Sequence, residues 1–374
     1  MGSVWYLQEV RIPAPDLPGS RLMDTFARLI HLSPPAAWMA AKLLIVIGGV
    51  MTIAAVLTWA ERRGAAMIQD RIGPNRAAVG GVTLLGLVQV AADGLKFFLK
   101  EDVVPPHANR LLFTLAPALA FIQALLGFAV IPFGQSFVSG GRPYHLSLLD
   151  PGNGMGMLYP LAIGAMAVYG VLVASWSSNN KWAILGGMRA GANMVSYELG
   201  MSLAVISIFM ATGDYDPHRI IEAQKGLWFV ARQPLGFLVF FTCMFAETNR
   251  LPFDFAEGES EIVAGFHIEY SSMKFALLQL AEYLHIVTAS ALIATLYFGG
   301  WRVPFVADPG VALSVLAFLA KLLFFAWVFI WVRWTLPRFR YDQLMFMGWK
   351  VMLPLSMINL IVQAWWMHRH AFGA

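Results

Sequence analysis

Residues 246–272 read AETNRLPFDFAEGESEIVAGFHIEYSS, and this stretch lies between two long apolar runs. It holds six carboxylates, Glu247, Asp254, Glu257, Glu259, Glu261 and Glu269, against one fixed positive charge, Arg250. The chain of 374 residues contains only 22 Asp and Glu, so this is a concentration of acid beside membrane-length segments. Where such groups are shielded from water, like charges a few ångströms apart cannot all ionise, so pKa values rise and protons become shared. A cluster of this kind takes up and releases protons near neutral pH. A solvated loop is the ordinary reading of an acidic run. Here, however, Phe253, Phe255, Ile262, Val263, Phe266, Ile268 and Tyr270 are interleaved with the acids, which argues for a loop folded into a cavity. If the piece is helical, Glu257 and Glu261 share a face and Glu259 turns away.

Outward from this stretch the chain is 58% apolar and 13% charged, with mean hydropathy +0.64. Soluble domains average about 25% charged residues, so the composition specifies an all-α integral membrane protein. Apolar runs of about 20 residues, enough to cross a hydrocarbon core, recur along nearly the whole length. They predict a single polytopic domain over 38–367 with eight spans, at 38–60, 110–131, 155–176, 193–212, 227–246, 273–299, 311–334 and 346–367. Residues 1–37 form an N-terminal extension with an interfacial character and no removable signal, and 368–374 a tail. More than half of the 26 Lys and Arg fall on the face that holds the acidic loop, which points that face to the cytoplasm and both termini outward. Residues 79–100 resemble a further span, but Asp93, Lys96 and Lys100 recur at helical spacing among Leu95, Phe97, Phe98 and Leu99. That pattern predicts an amphipathic helix lying in the interface.

The single cysteine, Cys243, excludes disulfide frameworks, cysteine-ligated clusters and zinc-cysteine sites held by this chain alone. No glycine-rich dinucleotide loop, Walker motif or zinc-spaced histidine pair is present, so no metal or redox cofactor is expected in this chain. The net charge of +4 reflects basic loops, and no nucleic-acid partner is expected.

Several polar residues stand out. Glu61-Arg62-Arg63 follows on the first span and is succeeded by Gln69-Asp70-Arg71-Ile72-Gly73-Pro74-Asn75-Arg76. These arginines suit either polar oxygens or membrane anchoring. Ser196-Tyr197-Glu198 opens the fourth span, with Arg189 and Asn193 on a shared path. Glu198 is read there as a buried acid or as a helix N-terminal acid favoured by the dipole. Glu282 lies about ten residues inside the sixth span, where burial favours a neutral, proton-donating form, and His285 follows it. Pro117, Pro234 and Pro354 fall inside spans and predict kinks. Arg338, Arg340, Asp342 and Lys350 bind headgroups, a partner or the acidic stretch.

With these residues in view, the chain resembles the quinone-site membrane subunit family of proton-pumping NADH:quinone oxidoreductase, respiratory complex I. The matching strings are ERR (61–63) with MIQDRIGPNR (67–76), ADGLKFFLKE (92–101), SNNKWAILGGMRA (178–190) with NMVSYE (193–198), ETNRLPFDFAEGESEIVAGFHIEYSS (247–272), AEYLHIV (281–287) and LPRFRYDQLMFMGWK (336–350). The resemblance implies eight spans and a surface helix in a bacterial cytoplasmic membrane, at the heel of the membrane arm and bathed in lipid. It implies a quinone cavity lined or gated by Glu61, Arg62, Arg71, Asp93, Arg250 and Phe253. Tyr197, Glu198, Glu247, Asp254, Glu257, Glu259, Glu261, Glu269 and Glu282 would carry protonation changes toward antiporter-like subunits. Quinone is then the substrate. Flavin and iron-sulfur clusters are expected in partner subunits of the peripheral arm, and small membrane-arm subunits are further partners. The chain departs from the family pattern by about five extra residues between Asn75 and Asp93, by Val90 in place of proline, by Asn193 where glutamine is common, and by its long start. An independent proton or cation transporter and the membrane anchor of a hydrogenase-type complex are the competing readings.

Overall fold

The computed structural model describes residues 34–372 except 140–141, 150–154, 305 and 307–308. Most of the N-terminal extension read at 1–37 therefore lies outside the described residues. Helix α1, Pro34–Ile68, is longer than the expected first span and carries Glu61, Arg62 and Arg63 within it rather than after it. No proline interrupts Trp59 to Ile68, and the chain first turns at Asp70, with φ of +49°. Helix α2, Val88–Leu99, follows a short 3₁₀ turn at Leu84–Gly86. Its 12 residues span about 18 Å, too little to cross a bilayer, as expected of the surface helix though shorter than 79–100. Leu95, Phe98 and Leu99 on it are exposed.

Helix α3, Arg110–Leu126, is capped by Asn109, whose Oδ1 accepts from Leu112 N–H at 3.3 Å, and contains Pro117. A two-stranded antiparallel hairpin, Phe137–Ser139 with Arg142–Tyr144, adds a little β structure to the helical bundle and packs its aromatic rings on Trp38. Helices α4, Leu158–Ser177, and α5, Lys181–Thr212, follow. The span expected at 193–212 thus begins twelve residues earlier, where Asn180 caps the helix. Arg189, Asn193, Ser196, Tyr197 and Glu198 share one helix, and Glu198 sits near its middle, so the helix-terminus reading of Glu198 fails.

The expected span 227–246 is broken: one turn at Phe229–Arg232 ends at Gln233, and α6 runs Pro234–Glu247. Pro234 opens α6 instead of kinking it, because a first-turn N–H has no intrahelical acceptor to lose. The buried Gln233 side chain bonds Ser207 of α5, which accepts in turn from Asn359 Nδ2 at 2.8 Å. Helices α7, Ser272–Tyr297, and α8, Gly310–Thr335, come next. The last helical path starts at Tyr341, passes through a π turn at Met347–Met352 and continues as α9, Leu353–Phe372. Pro354 stands in the first turn of α9, just after that π turn.

Among the described residues six helices are long and apolar enough to cross a membrane, and α3 and α6 are apolar but only 17 and 14 residues long. The centre of the bundle is α7, packed by α3, α8 and α1 and buried along most of its length. Its C-terminal end is closed by Lys321 of α8. The ammonium donates to the carbonyls of Phe298, Gly300 and Arg302 at 2.7, 2.8 and 2.6 Å, so all three of its protons are used. Lys321→Met strands those three carbonyls. We expect a loss of about 3 kcal/mol, read as a lower thermal midpoint in detergent.

Candidate functional site

After α6 the chain turns back at Asn249, with φ of +49°, and runs under the bundle to Ser271. The aromatic residues of this loop do what their interleaving predicts. Phe253 packs on Tyr197 and Phe339, Phe255 on Tyr341, and Tyr270 stacks on Phe113 with ring centroids 4.1 Å apart. The Tyr270 hydroxyl meets Ser177 Oγ at 3.2 Å, and burial pushes that phenol up to about 12. Val263 is the exception, being exposed. Close approach to α5 depends on glycine. A Cβ on Gly265 would fall 1.8 Å from Ala256 O, and one on Gly186 would fall 2.7 Å from Gly265 Cα.

Seating the loop buries Arg250, only 2% exposed, between helices α1 and α7. Its Nη1 donates to both oxygens of Glu61, at 3.0 and 3.2 Å, and its Nε lies 2.7 Å from Glu282 Oε1 as an ion pair, although the N–H is not aligned for a hydrogen bond. The Tyr283 ring lies 4.6 Å from the guanidinium carbon. Arg333, in the last turn of α8, holds Glu61 from the other side. Burial pulls the Arg250 guanidinium down, but Glu282 and Glu61 outweigh it and hold the group above the ordinary arginine range.

The remaining expected site residues fall into separate places. Asp254 is buried and pairs with Arg338 Nη2 at 2.9 Å, so of the destinations open to Arg338 the acidic stretch is the one it takes. Glu257 accepts from Gln279 Nε2 at 3.3 Å and lies 3.5 Å from His267 Nδ1. Glu261 is half exposed and pairs with Arg189 at 2.8 Å. The α-helical part of this piece is Glu259–Ile262, which leaves Glu257 outside it, so the condition for Glu257 and Glu261 to share a helix face is not met. The Glu259 side chain lies outside the described residues. Glu269 accepts from Asn180 Nδ2 at 2.6 Å. Glu198 and Glu247 are electrostatic neighbours across the α5–α6 seam, and Glu247 Oε1 is buried with no hydrogen-bond partner among the described residues. Tyr197 donates to Leu344 O at 3.0 Å.

On the surface side, Arg62 meets Asp93 at 2.5 Å, with Gln89 and Lys96 also on that carboxylate. Arg71 is exposed and bonds its neighbour Gln69, so it stands apart from the charged centre. Phe253 is packed among aromatics. The structure adds Arg333, Tyr283, Gln279 and His267 to the site, none of which the sequence marks as a member. For Arg333 a signal exists, since it is an arginine inside the apolar run 311–334.

Burial first, and the Glu257 carboxylate second, push Asp254 up to about 6 from an ordinary 3.8, against the opposing pull of Arg338. The folded value exceeds the unfolded one, so ionising Asp254 costs the fold stability. The cost is absent below about pH 4, complete above about pH 6, and on the order of 3 kcal/mol. An infrared carboxyl titration, with Asp254→Asn as the reference, is expected to place this midpoint near 6. Arg338→Gln is expected to move it higher, because the removed cation favoured the charged form.

The model of the NADH dehydrogenase family matches residues 41–364. The chain is 44% identical over 329 residues to an H subunit of NADH-quinone oxidoreductase from Cytophaga hutchinsonii, covering 85% of this chain and 94% of that protein. It is 46% identical over 333 residues to the corresponding protein of Leptospira biflexa, with 85% and 91% covered. It is 46% identical over 325 residues to that of Geobacter metallireducens, with 87% and 95% covered. Matches of this identity over nearly the full length of each relative, joined to the membrane-length helices and the charged loop beneath them, establish that the chain belongs to the family of the H subunit of NADH-quinone oxidoreductase.

Proposed function

We propose that this chain is the membrane subunit that forms the mouth and floor of the quinone cavity of a proton-translocating NADH:quinone oxidoreductase, acting only within the assembled complex. The observation that carries the reading is Arg250, buried between Glu61 and Glu282. A guanidinium shared by two carboxylates ties their charge states to one another and to the local field. A further negative charge arriving about 8 Å away, at an effective dielectric of about 20, changes that balance by about 2 kcal/mol, or roughly 1.5 pKa units. That is enough to load a proton onto a carboxylate that was poised near neutrality. Reduction of a quinone headgroup beside the cluster supplies such a charge.

In this reading Arg62, Asp93 and α2 form the mouth, and Glu61, Arg250 and Glu282 the charged floor. Asp254 and Glu257 exchange protons with the floor, while Glu247 and Glu198 pass the change along the α5–α6 seam. Glu259, Glu261 and Glu269 extend the acidic path, Arg71 completes the cavity wall in partnership with the peripheral arm, and Phe253 supports that wall from within its aromatic packing. Electrons arrive from partner subunits holding flavin and iron-sulfur clusters, and small membrane-arm and antiporter-like subunits receive the protonation signal. With α3 and α6 as crossings, the chain makes eight spans in a bacterial cytoplasmic membrane, with both termini on the periplasmic side.

Glu257→Gln and Glu282→Gln are expected to slow quinone reduction or uncouple it from proton movement while the complex still assembles. NADH oxidation and acidification in reconstituted vesicles measure both properties together. Undiminished rates and pumping in either variant remove the role given to that residue.

A further inference from the structure

Apart from the charged floor, a second set of polar contacts fastens the far end of α2 to the first turn of α7. Ser272 Oγ lies 3.0 Å from Phe97 O and 2.8 Å from Lys100 O, donating in turn to two carbonyls at the C-terminal end of α2. Ser271 Oγ accepts from Val103 N–H at 3.1 Å. Lys274 Nζ is 2.8 Å from Asp102 Oδ2, with its side chain largely buried over the Phe113 ring. Phe97 and Phe275 meet with ring centroids 6.0 Å apart. Ser272 is held at φ of +52°, a conformation costly for a residue with a Cβ, and it is retained where this seam is closed.

The seam matters because of what lies at each end of α2. Its middle is held by the Asp93–Arg62 pair, and Arg62 directly follows Glu61 on α1. Its C-terminal end is held by Ser272 and the segment just after it by Lys274 through Asp102, and Glu282 lies about ten residues along the same helix, about 15 Å up its axis. Helix α2 is therefore a strut between the two helices that supply the two carboxylates of Arg250. Its outer face offers exposed Leu95, Phe98 and Leu99.

We propose that Asp102, Ser272 and Lys274 form a clamp that sets the spacing of Glu61 and Glu282, and so are positioning residues for the quinone step. A long apolar quinone tail sliding along Leu95, Phe98 and Leu99 displaces α2, and the clamp converts that displacement into a change at Arg250. Misplacement of reacting groups by about 1 Å can cost up to about 100-fold in rate, so a small shift of the strut is sufficient. The inference rests on the reading of α2 as the mouth of the quinone cavity.

The test uses the assembled, membrane-bound complex carrying Lys274→Asp, Asp102→Lys, or both exchanges together. Each single variant is expected to raise KM for a long-tailed quinone about five-fold, with NADH oxidation by a water-soluble acceptor unchanged. The double exchange rebuilds the ion pair with reversed polarity and is expected to restore KM to within about two-fold. If Lys274→Asp blocks assembly, Lys274→Gln is read in the same way. Unchanged KM in the single variants, or single defects that the exchange leaves in place, overturn the clamp. Arg62→Gln in the same assay separates the two levels. If it raises KM while the Lys274 variants do not, the clamp alone falls. If it too leaves KM unmoved, the quinone reading itself falls.

Discussion

Burial of the Arg250 guanidinium constrains everything packed around it. Moving a charge of that size out of water costs several kcal/mol even after relaxation, and the cost is met only where opposite charges and hydrogen bonds replace the lost water. Arg250 finds Glu61 from α1 and Glu282 from α7, and Glu61 is held in turn by Arg333 from α8. Three helices and a loop are thereby required to meet at one point. The loop can reach that point only because its aromatic residues seal it against α5 and the final helical path, and because Gly186 and Gly265 let two backbones approach.

Away from this point the carboxylates lose their community. Glu261, paired with Arg189, and Glu269, hydrogen-bonded by the neutral Asn180, sit nearer to solvent, where an ion pair contributes little. Asp254 and Glu257 occupy an intermediate layer, each with its own counter-group. Glu198 and Glu247 form a further pair in the seam between α5 and α6. The acidic stretch is thus graded from a buried centre to a solvated rim, and the proton-handling proposal draws on the centre and the intermediate layer.

The helices show the same dependence on surroundings. Gln233 interrupts the helical path before α6, yet its side chain is fully engaged with Ser207, and Asn359 completes the group. In hydrocarbon a broken helix survives only where neighbours satisfy the freed polar groups, and here α5 and α9 supply them. Near the start of the π turn at Met347–Met352, the Tyr197 hydroxyl of α5 satisfies the Leu344 carbonyl, and the Trp349 indole donates to Ser196 Oγ of the same helix.

The linear chain displays the membrane class, the approximate place of each apolar helix, the interfacial character of α2 and the folding inward of the acidic loop. Each of these follows from local composition and periodicity. Helix limits were less legible: α1 and α5 extend well past the apolar runs, because helix propensity continues through Glu61-Arg62-Arg63 and through 181–192 after hydrophobicity stops. The pairing of charges emerged with the packed bundle and not before. Arg250 meets Glu61, 189 positions away, and Glu61 meets Arg333, 272 positions away. Such contacts are chosen by how helices pack around α7, and an ion pair leaves no periodic trace in either partner's local sequence.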